Sequence, residues 1–287
     1  MPKVLILGSY GLLGNVIYYF LSQSGYQVFR HGRHLQADFR ADCLNYSQLA
    51  YLFENLKPDI TINLVALTNV DLCEKEPGLA KLINVTSTKN IANLCRQTDS
   101  YLIHISTDQL YNGEGPHKEE NVCPINVYAK TKLESEAEAM KCNSIVLRTN
   151  FVGRSINSKR KSFTDWILNE IKNERKIKLF DDVIFSPLHM NKISELIDYL
   201  IHNKFKGVFN AGTFNCLTKA NFGLQFIDGL GLSRELVELS SITELNLYAK
   251  RPHNMFMDVS KIESILNFKC PSIKDSVNYS IAEYLEK

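Results

Sequence analysis

The 287-residue sequence lacks the features of several protein classes. No apolar run reaches the roughly 18 residues that a membrane-spanning helix needs. The apolar run that follows Met1 is too short, and too soon interrupted by glycine, for a secretory signal. Lys and Arg number 33 against 31 Asp and Glu, so charge gives no reason to expect nucleic acid or an anionic membrane as partner. We therefore predict a cytoplasmic protein whose ligand is held in a specific site.

The cysteines also lack a pattern. They are odd in number and widely scattered, with neither a Cys-x-x-Cys pair nor neighbouring paired histidines, so we interpret them as free thiols and predict no metal site. The seven are Cys43, Cys73, Cys95, Cys123, Cys142, Cys216 and Cys270. With 45% hydrophobic residues, the chain has material for one large or two modest globular domains.

A glycine turn stands near the start of the chain. The apolar run Val4–Leu7 leads into Gly8, Gly11 and Gly14, and a helical pattern follows from Asn15 to Ser24. Glycines in such a strand–turn–helix unit allow a tight turn, a close approach of the backbone to a pyrophosphate and close packing of the helix on the sheet. This position predicts dinucleotide binding, although a glycine turn that only packs well remains the alternative.

The end of the second predicted strand, Tyr26–Arg30, indicates the cofactor. An acidic residue there would bond the 2′-hydroxyl of the adenosine ribose, whereas this chain has Arg30, His31 and Arg33, which suit a 2′-phosphate. NADP is therefore favoured over NAD, and ordinary surface cations are the alternative. Asp42 is either a contact to the adenine amino group or a solvated loop residue.

Two further strands are predicted to end at the same site. The apolar segment Asp59–Val65 leads to Ala66 and Thr68, and Tyr101–Ile105 leads to Thr107. Ligands of open α/β sheets bind outside the carboxyl ends of the strands. We expect the hydroxyl of Thr107 to hold a substrate carbonyl, or else to cap its strand.

Tyr128 and Lys132 are spaced i and i+4 in a run of good helix formers, so they share a helix face. An ammonium beside a phenol favours the phenolate, and we expect it to lower the tyrosine pKa towards the working pH. Such a tyrosine can give a proton to a carbonyl oxygen. The pair by itself also occurs by chance on solvated helices.

The glycine turn, Thr107 and the pair of Tyr128 and Lys132 follow one another along the chain. Together with other segments they resemble a known family. The chain is similar to the extended short-chain dehydrogenase/reductases, and within them to the dTDP-4-dehydrorhamnose reductase (RmlD-like) branch. The segments that carry the resemblance are Ser106–Asp108, Pro124–Glu134 around Tyr128, Leu147–Thr149, Asn69–Asp71 with Glu74, Glu76–Pro77 and Asn84, and Arg251–Pro252 ahead of Asp258 and Lys261.

The resemblance implies an NAD(P)H-dependent reduction of a keto sugar. Tyr128 would protonate the nascent alkoxide, Lys132 would lower the tyrosine pKa and hold the nicotinamide ribose, and Thr107 would orient the carbonyl. Expected cofactor contacts are Gly8, Tyr10, Gly11, Leu12, Leu13, Gly14, Arg30, Arg33, Asp42, Cys43, Leu64, Val65, Ala66, Thr68, Tyr128 and Lys132. Expected substrate contacts are Thr68, Val70, Thr107, Asp108, Phe151 and Arg251. Arg251 would meet a phosphate or form a structural salt bridge.

The sequence also predicts the fold and its division into two domains. We expect a doubly wound, parallel α/β sheet of the Rossmann kind with a smaller, interleaved α/β substrate-binding domain. The first domain would comprise residues 1–150 and about 190–212, and the second about 151–189 and 213–287. Gly207–Gly212 is predicted to return to the main sheet, and Trp166 is expected in the core of the second domain.

Several residues differ from those usual in this branch, and they lie at positions expected to contact the substrate. Phe151 stands where a tryptophan is usual, Ala129 replaces a glycine, and Gln109–Tyr111 and Asp181–His189 diverge. We therefore predict an NADP(H)-dependent reductase, with NAD(H) left open, acting on the 4-keto group of a nucleotide-activated 4-keto-6-deoxysugar in surface polysaccharide synthesis. Which nucleotide and sugar are involved stays open, and so does a homodimer. The alternatives are an epimerase or dehydratase on the same fold, and a non-catalytic regulatory subunit similar to the partner of methionine adenosyltransferase.

Overall fold

The structure is a computed structural model that describes residues 1–32, 36–156 and 160–285. The strands are β1 (Lys3–Leu7), β2 (Gln27–His31), β3 (Ile60–Asn63), β4 (Tyr101–Thr107), β5 (Ser144–Thr149), β6 (Phe151–Val152), β7 (Ile177–Phe180), β8 (Ile184–Phe185), β9 (Leu188–His189), β10 (Gly207–Ala211), β11 (Leu217–Thr218) and β12 (Val237–Ser240). The helices are α1 (Leu12–Gln23), α2 (Tyr46–Leu56), α3 (Val70–Lys75), α4 (Pro77–Lys81), α5 (Ser87–Thr98), α6 (Val127–Ala139), α7 (Phe163–Lys172), α8 (Met190–Asn203), α9 (Lys219–Gly229), α10 (Ser260–Glu263) and α11 (Ile273–Leu285).

Six parallel strands form the central sheet, in the order β10-β5-β4-β3-β1-β2. All residues of β3, β4 and β5 are buried, as expected of parallel strands covered on both faces. The chain winds outward from β1 in both directions, so a crevice is expected beyond the carboxyl ends of these strands. The predicted doubly wound α/β sheet is confirmed, including the return of β10 beside β5.

Helices cover both faces of this sheet. Alternate residues of β1 face opposite ways, because Val4 and Ile6 pack with α1 and α8 whereas Leu5 and Leu7 pack with α2 and α5. In the described part of the chain, no helix combines the length and the apolar character needed to cross a bilayer.

A separate apolar cluster lies outside the sheet. Most of its buried members come from β7, α7, α9 and α11, and Trp166 packs at its edge with its ring stacked on Phe163. We propose this cluster as the core of the substrate-binding domain, with the boundaries predicted above. The seven cysteines are free thiols, as predicted.

The sequence predicts one long helix from about Pro77 to Thr98, and the structure differs from that prediction. The segment 77–98 is divided into α4, a π-helical turn (Leu82–Thr86) and α5, and a short helix, α3, precedes it. The turn contains Asn84, which is buried and whose Oδ1 accepts the Leu67 N–H at 2.7 Å. Single π turns of this kind occur often at functional sites.

Candidate active site

The glycine turn joins β1 to α1. Gly8 has a φ of +81°, which favours glycine, and a Cβ there would lie 3.2 Å from the carbonyl carbon of Leu64. A Cβ on Gly14 would lie 2.8 Å from the carbonyl oxygen of Gly8. Among the described residues no side chain caps α1, so the first N–H groups of this helix have no side-chain acceptor there. These features suit a phosphate group.

Arg30 lies at the end of β2, beside this turn. Its Nη2 donates to Oδ1 of Asn15 at 2.5 Å, and its guanidinium carbon is 3.9 Å from the ring centre of Tyr10 and 4.4 Å from that of Tyr18. These contacts fix a cation at the mouth of the glycine turn, where a 2′-phosphate is expected.

The other residues predicted near the cofactor after β2 do not share the position of Arg30. His31 is buried, its ring Nε2 is 2.7 Å from the carbonyl oxygen of Ala41, and burial lowers its pKa. It is therefore not the cation that the sequence suggested. Asp42 is exposed, and Cys43 is buried in the core beneath α2 and α5. Arg33 lies outside the described residues.

The segment after β3 passes beside Gly8. Val65 N–H donates to Oδ1 of Asn63 at 3.0 Å. Leu64, Val65 and Ala66 are half-buried, whereas Thr68 is exposed. The side chains of two buried asparagines, Asn63 and Asn84 of the π turn, thus hold the backbone of this segment in place.

Thr107 and Tyr128 meet at the carboxyl end of β4. Thr107 is the last residue of β4, and Tyr128 lies in the first turn of α6, which is capped by Asn126 through a bond from the Ala129 N–H at 2.8 Å. Both side chains are buried, and the Thr107 hydroxyl lies close enough to the phenol to lower its pKa. A phenol and a second hydroxyl therefore lie side by side, and their roles as proton donor and carbonyl ligand stay a prediction.

The pKa of Tyr128 contradicts the expectation. Burial raises this pKa to about 12, the Thr107 hydrogen bond opposes the shift, and the charge of Asp108 adds to it. Lys132 is not among the groups that lower it, and its Nζ donates to the carbonyl oxygen of Ile105 at 2.8 Å. Tyr128 is therefore a neutral phenol, which is the form that donates a proton.

Lys132 is buried as well, and burial lowers its pKa to about 8. Behind it lies His104, whose Nε2 is 3.5 Å from Nζ. Oδ1 of Asn63 accepts from a backbone N–H, so the donor Nδ2 of Asn63 is the atom that lies 3.1 Å from Nδ1 of His104. Nδ1 is therefore the acceptor of the ring. The imidazole proton is on Nε2, which faces the Ser135 hydroxyl. A neutral imidazole ring thus lies behind Lys132. The sequence analysis did not identify His104 as a site residue. Its signal was a histidine inside the apolar segment Tyr101–Ile105.

Asp108 follows Thr107 and is buried. Its Oδ2 accepts from Nδ2 of Asn150 at 2.7 Å, and burial raises its pKa to about 6. Lys219 acts on Asp108 through its charge and lowers that pKa. Asn150 and Lys219 are neighbours that sequence reasoning did not identify.

A cavity of about 260 Å³ lies next to these residues. Its polar side is formed by Gln109, Lys219 and Arg251, and its apolar side includes Phe180, Leu245, Leu247 and Met255. Nη2 of Arg251 lies 3.0 Å from Oδ1 of Asp71, so the salt bridge considered from the sequence is present.

The two apolar residues predicted at the substrate have packing contacts. Val70 is buried in a small cluster with Tyr128 and Cys73. Phe151 is half-buried against the main core and belongs to β6, which pairs with β9. Among the described residues there is no group of three or more His, Cys, Asp or Glu side chains that could hold a metal ion.

The sequence was compared with protein families. A sequence model of the RmlD substrate binding domain family matches residues 2–286. The chain belongs to this family. The resemblance drawn from Ser106–Asp108 and the Tyr128 segment is thereby confirmed.

RmlD-family relatives differ in their described roles. The chain is 27% identical over 284 residues to the probable low-salt glycan biosynthesis reductase Agl14 of Haloferax volcanii, covering 95% of each chain. It is 26% identical over 277 residues to the beta subunit of methionine adenosyltransferase 2 of Xenopus laevis, covering 92% of this chain and 82% of that one. A dTDP-4-dehydrorhamnose reductase of Bacillus anthracis, solved in complex with NADP, superimposes with a TM-score of 0.90 at 24% identity, covering 99% of this chain and 100% of that chain.

Replacing Arg30 with leucine tests the predicted contact to a 2′-phosphate. We expect the KM for NADPH to rise about tenfold to about a hundredfold while the KM for NADH changes little, because a charge-assisted hydrogen bond is lost with one cofactor only. Initial rates with both cofactors measure this. Arg40→Leu, at an exposed position in the same loop region, is the control. An equal rise for both cofactors would instead mean that Arg30 only supports the turn through Asn15 and Tyr10.

Proposed function

We propose that this RmlD-family protein is an NADP(H)-dependent reductase of the 4-keto group of a nucleotide-activated 4-keto-6-deoxysugar, of the dTDP-4-dehydrorhamnose reductase kind, acting in surface polysaccharide synthesis. The observation that carries the proposal is that Thr107 and the neutral phenol of Tyr128 lie together, buried, at the carboxyl end of β4, with Lys132 one helical turn further on. NAD(H) remains the alternative cofactor.

The residues of this site have separate roles in the proposed reaction. A bound nicotinamide cofactor would supply the hydride. Thr107 orients the keto oxygen, and Tyr128 gives its proton to that oxygen as negative charge develops on it. Proton donation of this kind contributes about 10²–10⁴ in rate. Lys132 holds a positive charge near the phenol and, in our proposal, binds the nicotinamide ribose.

The cavity supports a substrate with an anionic part and an apolar part. Lys219 and Arg251 give the lining positive charge, which suits a diphosphate, and most of the other lining residues are apolar. Gln109 and Phe151 depart from the usual pattern of the branch, so we propose a sugar that differs from dehydrorhamnose at the positions these side chains meet.

The alternative of a regulatory subunit has one observation in its favour, the similarity to the methionine adenosyltransferase subunit. Against it, Thr107, Tyr128 and Lys132 are all present and brought together. We propose a cytoplasmic location and a homodimer as well. Sedimentation of the purified chain checks the homodimer.

The test is the oxidation of NADPH and NADH against a panel of dTDP-, UDP- and GDP-linked 4-keto-6-deoxysugars. Turnover on one sugar, with release of the reduced sugar, would establish the reductase. Turnover without added cofactor, from tightly held NAD, would favour an epimerase or dehydratase. No turnover, together with a stable complex with another enzyme, would favour the regulatory subunit.

The pH dependence of reduction follows from two pKa values. Burial lowers the pKa of Lys132 to about 8 and raises that of Tyr128 to about 12, so the lysine loses its charge well before the phenol loses its proton. We therefore expect kcat/KM with NADPH, which reports groups of the free protein, to fall as the pH rises through about 8. Lys132→Met should be slower below that pH and should lack this step. A wild-type profile that stays level to about pH 10 would contradict the assignment to Lys132.

A further inference from the structure

The cavity next to the candidate active site has cations in its lining, and the counter-ion of one of them lies outside it. Among the described residues that line the cavity, Lys219 and Arg251 are charged and none is acidic. Half of the lining comes from one segment, residues 242–252, which we call the strap. Its lining residues are Ile242, Leu245, Leu247, Arg251 and Pro252. The carboxylate that Arg251 meets, Asp71, belongs to α3 and does not line the cavity.

The strap is tied to α3 and α6 through its backbone. Oδ1 of Asp71 accepts the Ala249 N–H at 2.9 Å, and Nδ2 of Asn126, the cap of α6, donates to the carbonyl oxygen of Lys250 at 3.0 Å. Ala249 is buried in the small apolar cluster that contains Tyr128. These contacts do not use the side chain of Arg251, so the guanidinium can change partner while the backbone of the strap stays in place.

The ion pair of Arg251 and Asp71 is of a kind that a ligand can replace. Nη2 of Arg251 lies 3.0 Å from Oδ1 of Asp71, the same oxygen that accepts the Ala249 N–H, and the two side chains are 18% and 35% exposed. Water screens a partly exposed pair, which therefore contributes little to stability. A phosphate group can accept two parallel hydrogen bonds from a guanidinium. An anionic ligand in the cavity can thus take Arg251 from the carboxylate.

We propose that Asp71 is a positioning residue that holds Arg251 in the free protein and yields it to the diphosphate of the substrate. The identity of the ligand rests on the proposed function, but the exchange itself needs only an oxyanion in the cavity. A neutral group of a sugar or base does not replace a carboxylate at a guanidinium, so the exchange favours ligands that carry phosphate groups. Because the ion pair has to break on binding, Asp71 lowers the affinity for every ligand that uses Arg251.

The experiment needs no turnover. Calorimetric titration of the full chain with dTDP, UDP and GDP measures the Kd at fixed ionic strength. We expect Asp71→Asn to bind about two- to fivefold more tightly, since asparagine still accepts the Ala249 N–H but no longer holds the guanidinium as an ion pair. Arg251→Met should bind about tenfold to about a hundredfold more weakly. Asp181→Asn, at an exposed carboxylate next to the lining residue Phe180, is the control and should stay near the wild type.

The double variant separates an exchange of partners from plain repulsion between Asp71 and the ligand. In the Arg251→Met background, Asp71→Asn should leave the Kd unchanged, because no guanidinium remains to compete for. A gain in affinity that persists in that background would overturn the inference. Unchanged or weaker binding by Asp71→Asn alone would overturn it too, as would a lack of binding of all three nucleotides and of inorganic diphosphate. Arg251→Gln gives the same comparison if the methionine variant does not fold.

The outcome of this titration is independent of the reductase assay. Coupling between Asp71 and Arg251 in the Kd, with no turnover on any sugar, would count against the proposed function alone. Turnover of a nucleotide sugar without such coupling would count against the exchange of partners alone.

Discussion

Replacing Tyr128 with phenylalanine is expected to lower kcat for sugar reduction by about 10²–10⁴-fold, with little change in cofactor affinity. The phenol lies beside the Thr107 hydroxyl, and burial raises its pKa to about 12, so it carries a proton at every pH used in an assay. Phenylalanine keeps the ring that packs against Val70 and Cys73 and removes only the donor. Steady-state rates and cofactor titration of the two proteins measure the effect.

Tyr51→Phe is a matched control, because Tyr51 is 71% exposed and lies on α2, which contributes no residue to the cavity. Its kcat should equal that of the wild type. Thermal unfolding of Tyr128→Phe should show a small change only, since a hydrogen bond contributes about 0.5–1.5 kcal/mol. If Tyr128→Phe kept the wild-type kcat, Tyr128 could not be the proton donor.

The sequence predicted which residues meet at this site, but it predicted the wrong sign for the tyrosine pKa. Helical spacing placed Tyr128 and Lys132 on one face of α6, as observed. Spacing carries no information on burial, which is the largest cause of the pKa shifts of Tyr128 and Lys132. It also does not show that the carbonyl oxygen of Ile105 accepts a hydrogen bond from Lys132. Those depend on how α6 packs on β4, which is a tertiary property.

The same limit applies to Lys219 and Asn150. Each lies in its own segment of the chain, 40 or more residues from Asp108, so no local pattern joins them. The central sheet was easier to predict, because glycine turns and apolar runs of strand length are local signals. The π turn around Asn84 interrupts a helical pattern that contains neither Gly nor Pro from Leu79 to Thr98, so no local signal predicts this turn.

Replacing Glu136 with glutamine is expected to destabilise the fold by about 3–5 kcal/mol, because it leaves a buried cation without its counter-ion. Glu136 Oε2 lies 2.7 Å from Nη2 of Arg148, and the two side chains are 4% and 5% exposed. Ser106 also donates to this carboxylate at 2.5 Å. The free energy of unfolding, from urea titration, measures the loss.

Glu238→Gln is the control, since Glu238 pairs with Lys176 at the surface and its loss should cost about 0–1 kcal/mol. A double variant, Glu136→Leu with Arg148→Met, should be more stable than Glu136→Gln alone, because no charge remains unpaired. Equal losses from Glu136→Gln and Glu238→Gln would contradict the burial argument. Since Ser106 precedes Thr107, any fall in kcat of Glu136→Gln below its unfolding temperature would mean that this ion pair also holds the catalytic end of β4 in place.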